Sequence, residues 1–500
     1  MEKYLYGAAV QGIQQFIFRT NELKDIVGAS ELVEQICTTA FNEFAVNGES
    51  VVRAAGNIKF IFNNKSDCEK AVREFPKKVM TMAPGITISQ AVVLLGEDFG
   101  KAIDNVEDLL KEQRNKPARS VTYGLMGVKR ANNTGLPVTK IAIEPYKENG
   151  ETKSKEVFQD EASEQISRFV RTKKLCEKSF GEEWLSHKEV AYDISDLTDK
   201  NDWIAVIHAD GNGLGKVVQK VGKDKDDFRE FSEKLDKATK EAANKAYEAV
   251  KDKFKLKVVI PIRPVVLSGD DMTVIIRGDL ALDYATEFIR AFEIKTQEKL
   301  NPILRKWHVF AEDKDYLTAC AGIAYIKSSY PFYYGYQLAE ELCGEAKKDT
   351  KAIHGKESDY LPPSCLMFHK VQDSFIFDYE DIVERELKAT DDLSFKAGPY
   401  YIREQAQKYE VSLAQQLTKQ LDTENGEGLR SGIRDWISLR LENKNKAEQR
   451  KTRMLQIFTD EKLQNTVKKL TAESDNRCLA YDVLALYTIM NQKTKDDNLV

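Results

Sequence analysis

Five hundred residues, 42% apolar and 31% charged, are too many for a single hydrophobic core and too rich in core formers for a long unstructured chain, so roughly three or four domains are expected. A formal net charge of −5 gives no sign of a nucleic-acid or membrane partner, and local patches must decide that question. Seven scattered cysteines without a C-x-x-C pair exclude a disulfide framework or a cysteine zinc site, and five histidines, none before Asp or within H-E-x-x-H, exclude histidine-rich metallohydrolase chemistry.

The opening MEKYLYGAAVQGIQQF has no basic segment ahead of an apolar core, and no long apolar run occurs later, so a cytoplasmic protein without a membrane partner is expected. Residues 1–100 read as strand (YLYGAAV), helix (NELKDIVGASELVEQICTTAFNEF), two strands around a Gly-Asn turn (VVRAAGNIKFIF), helix (DCEKAVREFPKKVMTMA) and strand (ITISQAVVLL). That order is βαββαβ, a ferredoxin-like arrangement. Over 101–198 the periodicity weakens: RANNTGLPVTK and YKENGETKSKE read as loops or inserted hairpins, and EASEQISRFVRTKKLCEKSF as one long helix.

The βαββαβ order returns over 199–380. DWIAVIHAD is an apolar strand ending in an acid, GNGLGKVVQKVG opens a helix through glycines, and DFREFSEKLDKATKEAANKAYEAVKDKF is a long amphipathic helix. IPIRPVVLSGDDMTVIIRGD is a hairpin with SGDD at its tip, followed by helix, strand (LTACAGIAYIK) and helix (YGYQLAEELCGEAKKDTK). Residues 381–500 read as a helical bundle, for example SGIRDWISLRLENKNKAEQRKTRMLQIF. The expected class is α+β: two ferredoxin-like units plus a C-terminal helical domain.

Chemistry concentrates in the second unit. The first strand and the central hairpin of a βαββαβ sheet lie side by side, which brings Asp210, at a strand end, to the hairpin tip that carries Asp270 and Asp271. Carboxylate oxygens of this kind suit Mg²⁺ or Mn²⁺, and two such ions support in-line displacement at phosphorus without a histidine base. Gly211, Gly213 and Gly215 let the backbone approach a triphosphate at the N-terminus of the helix that starts near Leu214. DGNGLGK is not a Walker loop, because Asp210 stands six places before Lys216 and Val217 follows it. Taken singly, SGDD is ordinary turn chemistry and Lys347 and Lys348 an ordinary helix end. His208 shares a face with Asp210 by strand alternation and reads as a structural histidine.

Together these segments resemble the large palm subunit of type III CRISPR effector complexes, the family that makes cyclic oligoadenylates from ATP. VQGIQQFIFRTNELKDIVGASELVEQI is similar to that family's first palm, HADGNGLGK to its catalytic strand and turn, LSGDD to its Gly-Gly-Asp-Asp hairpin, and AEELCGEAKK to its closing Ala-Lys helix. The resemblance implies a metal-dependent nucleotidyl transferase that polymerises and cyclises ATP into an antiviral second messenger. It makes Asp210, Asp270 and Asp271 ligands of two Mg²⁺ or Mn²⁺ ions. It sets Gly211, Asn212, Gly213, Gly215, Ser268, Gly269 and Lys347 against nucleotide, and it brings in other effector subunits with guide and target RNA as partners. The first palm then lacks metal ligands, with GAAVQG where the second has HADGNG and AAGN at 54–57 where it has SGDD. Ser268 replaces the first hairpin glycine, Asn212 stands where a second Asp often follows the first, and no His-Asp dipeptide or four-cysteine site is present, so single-stranded DNA cleavage is not expected.

Two other functions compete. A silent palm that binds RNA or scaffolds a complex draws on residues 429–469, where eleven Lys or Arg, Arg430 and Arg453 among them, stand against five Asp or Glu. The plain alternative for that stretch is a solvated helix face. A diguanylate-type synthase shares the hairpin position.

Overall fold

The computed structural model describes residues 2–490 except 55, 117–125, 149–150, 182–187, 199–201, 255–257, 312–313, 354–359, 373–377, 390–392, 407 and 424–425. The chain is a mixed α+β protein with two principal sheets and a helical C-terminal region. Among the described residues no helix is long and apolar enough to cross a membrane.

The first sheet comes from β1 (Lys3–Gln11), β2 (Gly48–Ala54), β3 (Asn57–Phe62) and β4 (Thr87–Leu95), in the antiparallel order β2-β3-β1-β4. Between β1 and β2 run α1 (Ile13–Ile17) and α2 (Leu23–Gln35), and between β3 and β4 runs α3 (Lys65–Met82). α3 buries Cys68, Ala71, Phe75 and Val79, a single stripe at helical spacing, and the Asn64 side chain caps it through the Asp67 amide. Strand alternation sorts the core. Tyr6, Ala8, Phe60 and Phe62 pack with α2 and α3, while Leu5, Ala9 and Ile61 face α4 (Phe99–Arg114).

The polar connecting stretch forms a hairpin, β5 (Lys140–Glu148) and β6 (Glu151–Gln159). The single helix expected after it is two, α5 (Glu161–Ser167) and α6 (Lys174–Phe180). The break frees the Thr172 carbonyl to accept from the buried Arg263 guanidinium at 2.8 Å, a tertiary demand that overrides local propensity. β7 (Glu189–Val190) and α7 (Ile194–Leu197) complete the connection.

The second sheet is built on β8 (Trp203–Gly211), whose residues Ile204–Ala209 are all buried, as a central strand covered on both faces requires. α8 (Leu214–Val221) and α9 (Lys225–Val250) follow it, and the two-residue β9 (Val259–Ile260) pairs with β7. Then come β10 (Ile262–Ser268), β11 (Asp271–Arg277), α10 (Gly278–Lys306), β12 (Ala319–Lys327), α11 (Phe332–Ala352) and β13 (Cys365–Lys370). α12 (Tyr379–Ile382) leads to β14 (Tyr400–Tyr401), and the sheet order is β10-β11-β8-β12-β13-β14. Thus residues 400–401, in a stretch expected to be helical, instead supply an edge strand. α11 packs closely on the sheet because Gly322 has no side chain; a Cβ there would meet the Ala339 carbonyl at 1.9 Å.

The tail is helical: α13 (Val411–Leu421), α14 (Gly426–Glu442), α15 (Lys444–Ile457), α16 (Glu461–Leu470) and α17 (Ala480–Met490). It joins the second sheet through Tyr400, whose hydroxyl donates to the buried Asp482 carboxylate at 2.8 Å.

An acidic sheet edge facing a cavity between the two sheets

Register places the site. β8 pairs with β11 through Ala209↔Met272 and with β12 through Asp210↔Cys320, while Ser268↔Asp271 closes the β10–β11 hairpin. Asp210 therefore ends its strand beside the hairpin tip. One carboxylate oxygen each from Asp210, Asp270 and Asp271 lies within 4.8 Å of the others, and all three residues are half-buried.

Two glycines make this approach sterically possible. At Gly211 a Cβ would sit 2.7 Å from Asp270 Oδ2 and 2.9 Å from its Cβ, so only glycine leaves room for that acid. Gly269 takes φ 64 in the turn, a left-handed conformation costly for other residues, and its carbonyl accepts from the buried Thr239 hydroxyl at 2.6 Å. Gly213, at φ 72, turns the chain into α8. Asn212 is buried; its amide nitrogen donates to Thr318 Oγ1 at 3.1 Å, while its Oδ1 has no hydrogen-bond partner among the described residues. Gly215 is exposed with open space before it, and Ser268 lines the cavity described below.

Crowded carboxylates repel one another's ionisation. Burial, then the charges of Asp271 and Asp210, push Asp270 well above the usual carboxylate range, and burial with Asp210 raises Asp271 to about 7. Lys347 offsets part of this charge: its ammonium ion-pairs with Asp210 and donates to the Gly211 carbonyl at 2.9 Å. Burial, the largest single influence, lowers the Lys347 pKa, but the charge and hydrogen bond of Asp210, together with Cys343 and Cys320, hold it above its ordinary value. Lys347 and Lys348 lie inside α11 rather than beyond a helix end, and Lys348 points outward to Glu345 at 2.6 Å.

A cavity of about 230 Å³ opens beside Asp271, between the sheets. The second sheet contributes Ser268, Asp271, His208 and Thr273; α11 contributes Tyr336; and the first unit contributes Gln14, Ser30, Glu34 and the turn at Gly56. His208 is buried, its Nδ1 sits 3.2 Å from Thr273 Oγ1, and burial lowers its pKa to about 4, so it lines the cavity as a neutral ring. Tyr336 stacks on Phe18 at 4.4 Å, tying α11 to the first unit. The sequence reading had missed Tyr336 and Glu340 as neighbours of the acids. Their signal is helical spacing, since Tyr336, Glu340, Cys343 and Lys347 recur at i, i+4, i+7 and i+11. Glu340 itself is raised by burial, then by Glu341 and Asp210.

A strand end and hairpin tip that meet through carboxylates, on a mostly antiparallel sheet backed by helices, define a palm-type fold. Residues 203–355 match the family described as Cas10/Cmr2, second palm domain. Solved structures with the same fold include the Csm1–Csm4 cassette with one ATP (13% identity, TM-score 0.59), without ligand (13%, 0.58) and with cA4 (12%, 0.55). Each match covers 98% of this chain and 70% of the other. No curated protein matches the chain by sequence. The chain has the architecture of a Cas10-like large palm subunit, as the motifs in its sequence indicated.

Proposed function

We propose that this chain is a metal-dependent nucleotidyl transferase that joins ATP into a cyclic oligoadenylate as part of a type III CRISPR-like effector. The observation that carries this reading is the meeting of Asp210, Asp270 and Asp271 within 4.8 Å, with Asp271 lining the cavity between the sheets. The donor set fits Mg²⁺ or Mn²⁺: the oxygens are hard, their mutual repulsion calls for positive charge, and Gly211 keeps the approach open. Bound there, two such ions would acidify an attacking 3′-hydroxyl and neutralise a leaving pyrophosphate. Asp210, Asp270 and Asp271 would hold the ions. Gly211, Asn212, Gly213, Gly215, Ser268 and Gly269 would lie along the nucleotide, and Lys347 would exchange its Asp210 contact for a triphosphate oxygen. Neutral His208 and Tyr336 would wall the base side of the cavity.

In this reading both sheets are ferredoxin-like palms: residues 1–100 a degenerate one, 101–198 a connector, 199–380 the catalytic palm and 381–500 a helical domain. The chain works in the cytoplasm with other effector subunits and with guide and target RNA. The solved Csm1–Csm4 structures, which include ATP and cA4 complexes, support the choice of ATP as substrate. The test is incubation of purified protein with labelled ATP and Mn²⁺. Cyclic product that disappears in the Asp270→Ala/Asp271→Ala double variant is expected. Equal product from that variant overturns the assignment, and metal-independent RNA binding without product leaves a scaffold.

A further inference from the structure

α11 carries two faces with different partners. On one, Tyr336 lines the cavity and Lys347 pairs with Asp210. On the other, Glu341, Glu345 and Asp349 recur at i, i+4 and i+8, a single row of acids along the helix. Each acid is held by the chain beyond β13. Glu341 Oε2 accepts from the Tyr379 amide at 2.7 Å, and Glu345 Oε2 accepts from Lys396 Nζ at 2.9 Å. Asp349 gathers the most. The Tyr401 hydroxyl donates to its Oδ1 at 2.5 Å, Lys408 Nζ lies 3.0 and 3.1 Å from its two oxygens, and Arg477 Nη2 lies 3.7 Å from Oδ2.

Those three donors come from separate stretches: β14, the loop ahead of α13, and the segment ahead of α17. A carboxylate in the last turn of a helix faces the negative end of the helix dipole, which costs stability unless cations answer it. Asp349 lies in that turn of α11, so its placement is explained by the tail and not by the helix. Tyr401 is fully buried and the Asp349 side chain is only 16% exposed, so solvent ions screen the contact little. Asp349 follows Lys347 by two residues, about 3 Å of helix rise. The turn that Asp349 fixes is therefore the turn that aims Lys347.

We propose that Asp349 is a positioning residue: it ties the last turn of α11 to the helical tail, and the docked tail thereby sets the reach of Lys347 to the acidic edge. The consequence for turnover rests on the function proposed above; the placement of Lys347 does not.

Placement is read without nucleotide. A water-soluble carbodiimide condenses a carboxylate with an amine already in contact with it. Mass spectrometry of the digested full chain then measures the Asp210–Lys347 link against the Lys59–Glu107 link, a 2.8 Å pair in the first unit. Asp349→Asn is expected to lower that ratio about fivefold, since a displacement on the order of 1 Å breaks a positioned contact. Lys408→Gln, which removes one partly exposed ion pair, is expected to lower it about twofold. A ratio unchanged in both variants overturns the proposal. If Asp349→Asn loses the Lys59–Glu107 link as well, it has unfolded, and Lys408→Gln decides alone.

Turnover supplies the second readout. In ATP titrations with Mn²⁺, Asp349→Asn is expected to raise KM about tenfold with a smaller change in kcat, and to cost nothing further when added to Lys347→Met. Losses that multiply in the double variant reject action through Lys347. A native chain that yields no product rejects the nucleotidyl-transfer reading instead, and the crosslink ratio then decides the placement.

Discussion

The two sheets share a frame that differs mainly where chemistry would occur. In the first, β1 pairs with β3 so that Ala9 faces Asn57, and β2 slips register between Ser50 and Val52, three residues before the turn. In the second, β10 slips between Pro264 and Val266, the same distance before its turn. Matching the two turns aligns Ala9 with Asp210, Gly56 with Asp270 and Asn57 with Asp271, and sets Gly12 beside Gly213, both at positive φ at a helix start. One backbone therefore serves twice, and the three acids of the second copy have Ala9, Gly56 and Asn57 as their counterparts in the first. The first copy keeps a different task, walling the cavity with Gln14, Ser30 and Glu34.

The largest effect that separates the copies is on catalysis. Asp210→Asn is expected to cut product formation by about a thousandfold or more, as loss of a metal ligand does. Asn57→Ala, at the matching place in the first sheet, is expected to leave the rate within about twofold; comparable losses in both assays dissolve the distinction. Next in size is Gly211→Ala. Its Cβ would push on Asp270, and a loss of ten- to a hundredfold is expected in the same assay. Val10, the counterpart of Gly211, already carries a side chain, and Val10→Ala is expected to change little.

Binding supplies a third comparison. Mg²⁺ at about a hundred times its dissociation constant stabilises a folded protein by about 2.7 kcal/mol, so the melting temperature should rise by several degrees in the native chain and stay flat in Asp270→Asn/Asp271→Asn. A rise in the double variant places the ion elsewhere.

The smallest effect concerns pH. Asp271 titrates near 7 in the folded chain against an ordinary 3.8, so without metal its contribution to stability is full below about pH 4 and declines as pH rises to about 7. Asp271→Asn should flatten that decline and raise the melting temperature at pH 7.5 by a few degrees in calorimetry. A steeper decline in the variant reverses the sign and excludes burial and the neighbouring Asp210 charge as the cause.

The acidic edge could be read from sequence because its signals are local: an apolar run that ends in Asp210, and a four-residue tip between two β-branched runs. What could not be read depended on distant partners. The break between α5 and α6 answers to Arg263, some ninety residues on, through its bond to Thr172. β14 is too short for any periodicity and exists because β13 offers it an edge. The Lys347–Asp210 pair joins residues 137 positions apart, so sequence could offer Lys347 as a cation but not name its carboxylate. The cavity belongs to neither unit alone, and no motif within one unit could show the place of Gln14 or Tyr336.

The register slip before the SGDD turn bears on which length changes this gene tolerates. Side chains along a strand alternate, so removing one residue between Pro264 and Ser268 would send the outgoing run to the opposite side of the sheet or force the turn to rebuild. Deletions there should be far less tolerated than deletions of equal length in the β5–β6 ribbon, and a library of single-codon deletions across the chain would show that as a sharp gap ahead of the turn.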